Sequence, residues 1–200
     1  MMEKAIEDKD RENWYAYLEL GAAYCATHRR LLDAYNCFDK SFKLKETAWA
    51  MYCLSIIARQ CGNNKDAAEK AMKASMMLPT DESLAKDAMA CLTAAEMYDE
   101  VIELSEALDP KLLHVGRVRL YIVIANIRRG NLEYAERVLW ENGGLVVADI
   151  REGENIITNI YLDLEEAKAA RDSMPFDRAE CDVPAIFDYR VSQRRKNKKQ

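Results

Sequence analysis

The sequence predicts an all-α fold, a stack of antiparallel helix pairs closed by a C-terminal capping helix. Three observations carry this. The first is a period. Gly130, Leu132, Ala135 and Leu139 are matched 34 residues earlier by Glu96, Tyr98, Val101 and Ser105, and 34 earlier again by Gly62, Asn64, Ala67 and Ala71. With one residue of slippage, Arg29, Leu31, Ala34 and Phe38 continue the series. A period of about 34 residues marks a helix-turn-helix unit that stacks on copies of itself. The second is scarcity: seven Gly and four Pro in 200 residues are too few for a turn-rich β fold. The third is spacing. Apolar residues recur at helical intervals in segments of about 15 residues separated by short connections, as antiparallel neighbours require.

The elements follow in order. Residues 3–8 read as the last turn of a helix whose start is missing. The first pair is NWYAYLELGAAYCATH, apolar at Trp14, Tyr17, Leu18, Gly21 and Tyr24, then RRLLDAYNCFDKSFKL with Leu31, Ala34, Phe38 and Phe42. The second is ETAWAMYCLSIIARQ and NKDAAEKAMKASMML, closed by Pro79. The third is DESLAKDAMACLTAAE and YDEVIELSEAL, closed by Asp109-Pro110, with Pro110 suited to the first turn of the next helix. The fourth is KLLHVGRVRLYIVIANIRR and NLEYAERVLWEN, stopped at a C-cap by Gly143 and Gly144. An extended connector leads to a last amphipathic helix, about 154–172, apolar at Ile157, Ile160, Tyr161, Leu164 and Ala167. This helix is expected to pack on the second helix of the fourth pair. The expected organisation is therefore repeats over 1–144, connector, capping helix and docked tail over 145–190, and a disordered basic tail over 191–200.

Composition bounds the function. Half of the residues are hydrophobic, enough for an ample core. The net charge of −5 argues against a nucleic-acid surface as the main business. No run approaches the eighteen apolar residues of a membrane span. Charges in the first ten residues stand where a secretion signal needs an apolar stretch, so a cytoplasmic location is expected. Cys25, Cys37, Cys53, Cys61, Cys91 and Cys181 show no metal-ligand spacing. They read as reduced, small core hydrophobes, with disulfide staples the alternative.

Chemistry is sparse. His28 and His114 are far apart, without Cys or carboxylate help at ligand spacing. No nucleophile elbow, phosphate loop or dinucleotide fingerprint occurs. Asp163, Glu165 and Glu166 read as a solvated helix face. Asp149, Arg151, Glu152 and Glu154 read as acids and a base near a helix start. Neither an enzyme nor a cofactor is expected. The basic residues Arg194, Arg195, Lys196, Lys198 and Lys199 read as a solubilising end, with contact to RNA or anionic lipid the alternative.

The residues resemble a tetratricopeptide repeat protein. Tyr17, Leu20, Gly21 and Tyr24 match the family's first helix; Gly62, Ala67, Ala74 and Pro79 match its second helix in the next repeat; Gly130, Leu132 and Ala135 match the fourth. The third repeat departs from the pattern, with Glu96 for the turn Gly and Val101 for the small Ala. The resemblance covers about residues 3–142. It implies a right-handed superhelix whose first helices line a concave groove that binds a protein or peptide. Carried over, the groove positions are Tyr15, Leu18, Ala22 and Cys25; Ala50, Leu54 and Ile57; Ser83, Lys86, Ala90 and Thr93; and Arg117, Tyr121, Ile124 and Arg128. The grading from apolar to basic suits an extended or helical peptide with an acidic end. The plainer alternative is that the last four pack against the next helix or the final segment. Leu18 and Ala22 stand where chaperone-binding members carry Lys and Asn, so chaperone tails are not expected ligands.

A second resemblance concerns the end. ADIREGEN before a helix, with Asp188-Tyr189-Arg190, is similar to the C-terminal segment of large bacterial proteins whose front part resembles carbohydrate-handling enzymes. It implies an accessory module of a larger carbohydrate-active protein. The main expectation is an interaction scaffold without catalysis, with self-association through exposed repeat faces as a further partner mode.

Overall fold

The computed structural model describes residues 12–27, 30–150 and 154–189. The helix stub at 3–8, His28, Arg29, the connector residues 151–153 and everything from Arg190 on lie outside the described residues. Of the described residues 71% are helical and none is in a strand. The helices are α1 (Trp14–Cys25), α2 (Leu31–Leu44), α3 (Ala48–Gln60), α4 (Asn64–Met77), α5 (Glu82–Ala94), α6 (Tyr98–Ala107), α7 (Gly116–Arg128), α8 (Leu132–Trp140) and α9 (Ile156–Arg171). Short 3₁₀ turns at Pro110–His114 and Glu141–Gly143 flank the fourth pair. Pro110 thus starts a separate turn rather than α7. Val115 is extended (φ −69°, ψ 123°) and breaks the helix there.

The 34-residue period is a period of backbone chemistry. Asn13, Thr47 and Asp81 occupy the same place in successive repeats, and each side chain caps a helix by accepting the backbone N–H three residues on, at 3.1, 3.2 and 2.9 Å. Each satisfies a donor that the helix itself cannot. The next place in the series is Val115, which supplies no side-chain cap. At the other end of the first helices, Gly62, Glu96 and Gly130 are all left-handed, with φ of 77°, 58° and 77°. The next residues, Asn63, Met97 and Asn131, return N–H bonds of 3.0, 2.9 and 2.8 Å to carbonyls five residues back. This closes three copies of one helix-ending turn. Glu96 holds a conformation that costs a side-chain-bearing residue about 1–2 kcal/mol. Glu96→Gly should therefore raise stability by about 1 kcal/mol, read as a higher urea midpoint with an unchanged slope. A lower midpoint would show that the left-handed turn is not the strained point.

The chain divides into two compact units, with the boundary at the third pair. The N-terminal unit holds residues to Met97 with Glu106–Asp109; the C-terminal unit holds Tyr98–Ser105 and Pro110 onward. This differs from the expected division at residue 144, because the segment after Gly144 shares a core with α7 and α8.

In the N-terminal unit, α1 packs on α2, α3 on α4 and α4 on α5. Tyr17, Leu20, Tyr24, Ala34, Phe38, Leu54 and Ile57 form one cluster. Gly21 makes it possible: a Cβ there would lie 2.6 Å from the Phe38 ring. Trp14 is partly buried and Tyr17 buried. The ammonium of Lys40 lies over the Tyr17 ring at 4.2 Å, and that of Lys45 over Trp14 at 4.5 Å.

In the C-terminal unit, Leu120, Val123, Leu132, Ala135 and Leu139 of the fourth pair join Leu145 and Val147 of the connector. Ile157, Ile160 and Leu164 of α9 and Val183 and Phe187 of the tail complete the same core. Helix α9 contacts both α7 and α8. Phe187, fully buried, meets Trp140 edge-on at 4.7 Å and stacks on Tyr161 at 5.6 Å. Thr158 Oγ1 donates to Phe187 O at 2.6 Å and accepts from the Tyr189 N–H at 3.0 Å. Helix α8 ends earlier than expected, at Trp140 with Glu141 at its C-cap, and Gly143 and Gly144 close the following 3₁₀ turn instead. The absence of a Cβ on Gly144 leaves room for Ile186 and Phe187.

Candidate interaction surface

In the N-terminal unit the first helices of three pairs, α1, α3 and α5, expose a common face. Side-chain contacts join them. The Tyr52 hydroxyl on α3 donates to the Asp87 carboxylate on α5. The Arg59 guanidinium on α3 reaches Cys91 Sγ on α5 at 4.0 Å. Leu54 and Ile57 on α3 share a core with Tyr17, Leu20 and Tyr24 on α1, and Cys25 and Cys53 pack against it.

Along α3 the face is a stripe: Trp49, Tyr52, Ile56 and Arg59. Trp49 is 45% exposed, Tyr52 and Ile56 are partly buried, and Arg59 is exposed. Trp49 meets Tyr52 edge-on at 6.2 Å. On α1 the same face carries Tyr15, 54% exposed, with Leu18 partly buried and Ala22 exposed. On α5 it carries Ser83, Lys86, Asp87, Ala90 and Thr93.

The electrostatics of this face are mostly compensated. Burial, and then the hydrogen bond to Asp87, hold the Tyr52 hydroxyl well above the usual tyrosine range. The hydrogen bond with Glu19 raises Tyr15. Lys86 pairs with Glu82 at 3.0 Å. Burial pushes the Cys53 thiol up to about 11 and raises Cys25 and Cys91 as well. These thiols are therefore protonated at neutral pH and pack as small apolar groups.

No protein-family model matches the sequence, and no curated protein matches it.

The expected groove residues separate into two groups. Tyr15 and Ala22 are exposed, and Leu18 and Lys86 partly buried. Leu54 and Ile57 are buried: each is 4% exposed, and they sit in the core with Phe38 and Tyr17. Ala50 is fully buried. The correction is one of register. Helical neighbours differ by about 100°, so one residue of error turns a groove position into a core position. Stepping 34 residues from Tyr15, Leu18, Ala22 and Cys25 reaches Trp49, Tyr52, Ile56 and Arg59, which are the residues on the face. The signal was present in the period, and the slippage at the first repeat obscured it.

The expected stripe Arg117, Tyr121, Ile124 and Arg128 is also corrected. Tyr121 and Ile124 are partly buried against the C-terminal core. Arg117 pairs with Asp149 at 3.1 Å and donates to its backbone carbonyl at 3.2 Å. Arg128 lies 3.5 Å from Asp163 on α9. The counter-ions of both arginines belong to this chain, so neither faces a ligand alone. Asp149 correspondingly serves α7 rather than the start of α9. A buried arginine escaped the sequence reading altogether. Arg119, 7% exposed, donates to Val138 O at 2.6 Å and pairs with Glu141 at 3.2 Å, tying the end of α8 to α7.

Proposed function

We propose that the chain is a tetratricopeptide-type interaction scaffold. It binds a peptide or protein segment on the face of α1, α3 and α5 and has no catalysis of its own. The observation that carries this is the stripe on α3. An exposed Trp49 beside Tyr52 and Ile56, with Tyr15 and Leu18 on the neighbouring helix, is the composition of an interface centre. The periodic caps and left-handed turns support the family reading. The half-buried, protonated thiols fit a reducing compartment, and the cytoplasm is the proposed location. The C-terminal unit offers no binding face in this reading, because its described arginines other than Arg137 meet carboxylates of this chain.

The test is selection of binders from a random peptide display library on the full chain. Trp49→Ala should weaken the selected peptides by about 2 kcal/mol or more, roughly thirtyfold, as truncation of an interface anchor does. Trp140→Ala, in the other unit, should leave them unchanged. Binders that ignore Trp49, or no binders at all, would end the proposal.

A further inference from the structure

Arg59 stands out among the arginines. Every other described arginine except Arg137 has a carboxylate within 3.5 Å. Arg137 instead lies over the Tyr134 ring at 4.8 Å. The partner of Arg59 is the Cys91 sulfur at 4.0 Å. Burial keeps that thiol protonated, so it offers no counter-charge. Asp87, on the same facing helix, is engaged by the Tyr52 hydroxyl. Among the described residues, Arg59 is thus an exposed cation with a thiol rather than a carboxylate as its hydrogen-bond partner, three residues beyond Ile56 on the apolar stripe of α3.

Its position has an energetic consequence. A segment that covers Trp49, Tyr52 and Ile56 also takes water away from Arg59, one helical turn further on. Removing water from a guanidinium without a carboxylate partner is costly, whereas a carboxylate in its place forms a charge-assisted, bidentate hydrogen bond. Basic segments are repelled, and neutral ones lose the hydration of Arg59 without replacement.

We propose that Arg59 reads an Asp or Glu side chain in the bound segment, next to the aromatic or aliphatic residues that cover Trp49, Tyr52 and Ile56. This rests on the interaction-scaffold reading and specifies the chemistry of its partner. A side-chain carboxylate is the committed source. A chain terminus would call for further donors around the carboxylate, and Lys86 is already paired with Glu82.

The experiment is a double-mutant cycle on peptides selected by the full chain. Selected sequences should carry an acidic residue at a fixed offset from an aromatic or aliphatic pair. Changing that acid to its amide should weaken binding roughly tenfold to a hundredfold. Arg59→Gln should remove this discrimination while binding the amide peptide as the unchanged chain does. Arg59→Glu should shift selection to basic peptides. The affinity of the acidic peptide should fall with added salt more steeply than that of its amide. Amidating the peptide terminus should change nothing. Peptides that depend on Trp49 but show no acidic preference, or no coupling to Arg59, would overturn this proposal and leave the scaffold reading intact. Loss of binding on terminal amidation would also overturn it, by moving the carboxylate to the chain end. Binding that ignores Trp49 would overturn the scaffold reading itself and this proposal with it.

Discussion

Truncation after Gly144 should unfold the C-terminal unit. The cut removes Leu145, Val147, Ile157, Ile160, Leu164, Val183 and Phe187, all members of one core with the fourth pair. Each such side chain contributes roughly 1.5–3 kcal/mol when buried. Together they contribute about 10–20 kcal/mol, comparable to or above the roughly 5–15 kcal/mol by which a whole domain is stable. The cut also removes Lys168, which pairs with Glu136 at 2.6 Å, and Arg171, which pairs with Glu133 at 2.5 Å. These two are minor, because exposed pairs contribute about 0–1 kcal/mol. Hydrogen exchange is the measurement. Amides of α7 and α8 should lose protection, whereas those of α1 to α5, whose core uses other residues, should keep theirs. Protection retained in α7 and α8 would show that α9 and the tail are an appendage rather than part of the core.

Phe38→Ala should destabilise the N-terminal unit by about 3–5 kcal/mol, the range for deleting a buried aromatic ring. Phe38 is 2% exposed and fills the space that Gly21 leaves open. The companion change, Gly21→Ala, approaches the same contact from the other side. Its methyl would lie 2.6 Å from the ring, so either the ring or α1 must shift. That should cost about 1–3 kcal/mol. Combining Gly21→Ala with Phe38→Leu should cost less than the sum of the two single changes, because the smaller side chain makes room for the methyl. Urea unfolding followed by the fluorescence of Trp14 and Trp49 measures all of these. A sum that is strictly additive would mean that Gly21 and Phe38 do not share one contact.

The two units explain why part of the molecule was legible in the sequence and part was not. Repeat length, helix order and turn positions could be read directly, since each depends on residues close together in the chain. Caps at Asn13, Thr47 and Asp81 and turns at Gly62, Glu96 and Gly130 are local events, decided within a few residues. Even the departure at Glu96 preserved the phase, because the turn geometry was imposed by flanking helices that keep their spacing. The candidate surface was legible only in its outline. Leu54 and Trp49 are both large and apolar, and composition does not say which faces water. A register exact to one residue decides it, and the first repeat slips by one.

Sequence alone determined that the chain is helical, and where its helices and turns recur. Only the tertiary structure decided which charges are spent. Arg117 meets Asp149, 32 residues away, and Arg128 meets Asp163, 35 residues away. Arg119 ends buried against the end of α8, and Arg59 meets, among the described residues, a neutral thiol rather than a carboxylate. All four are the same residue type on first helices of their pairs. Whether an arginine is structural or open to a partner depends on the carboxylates that folding brings within a few ångströms, because pairing energies fall off over that distance. No local pattern in the chain encodes those distances.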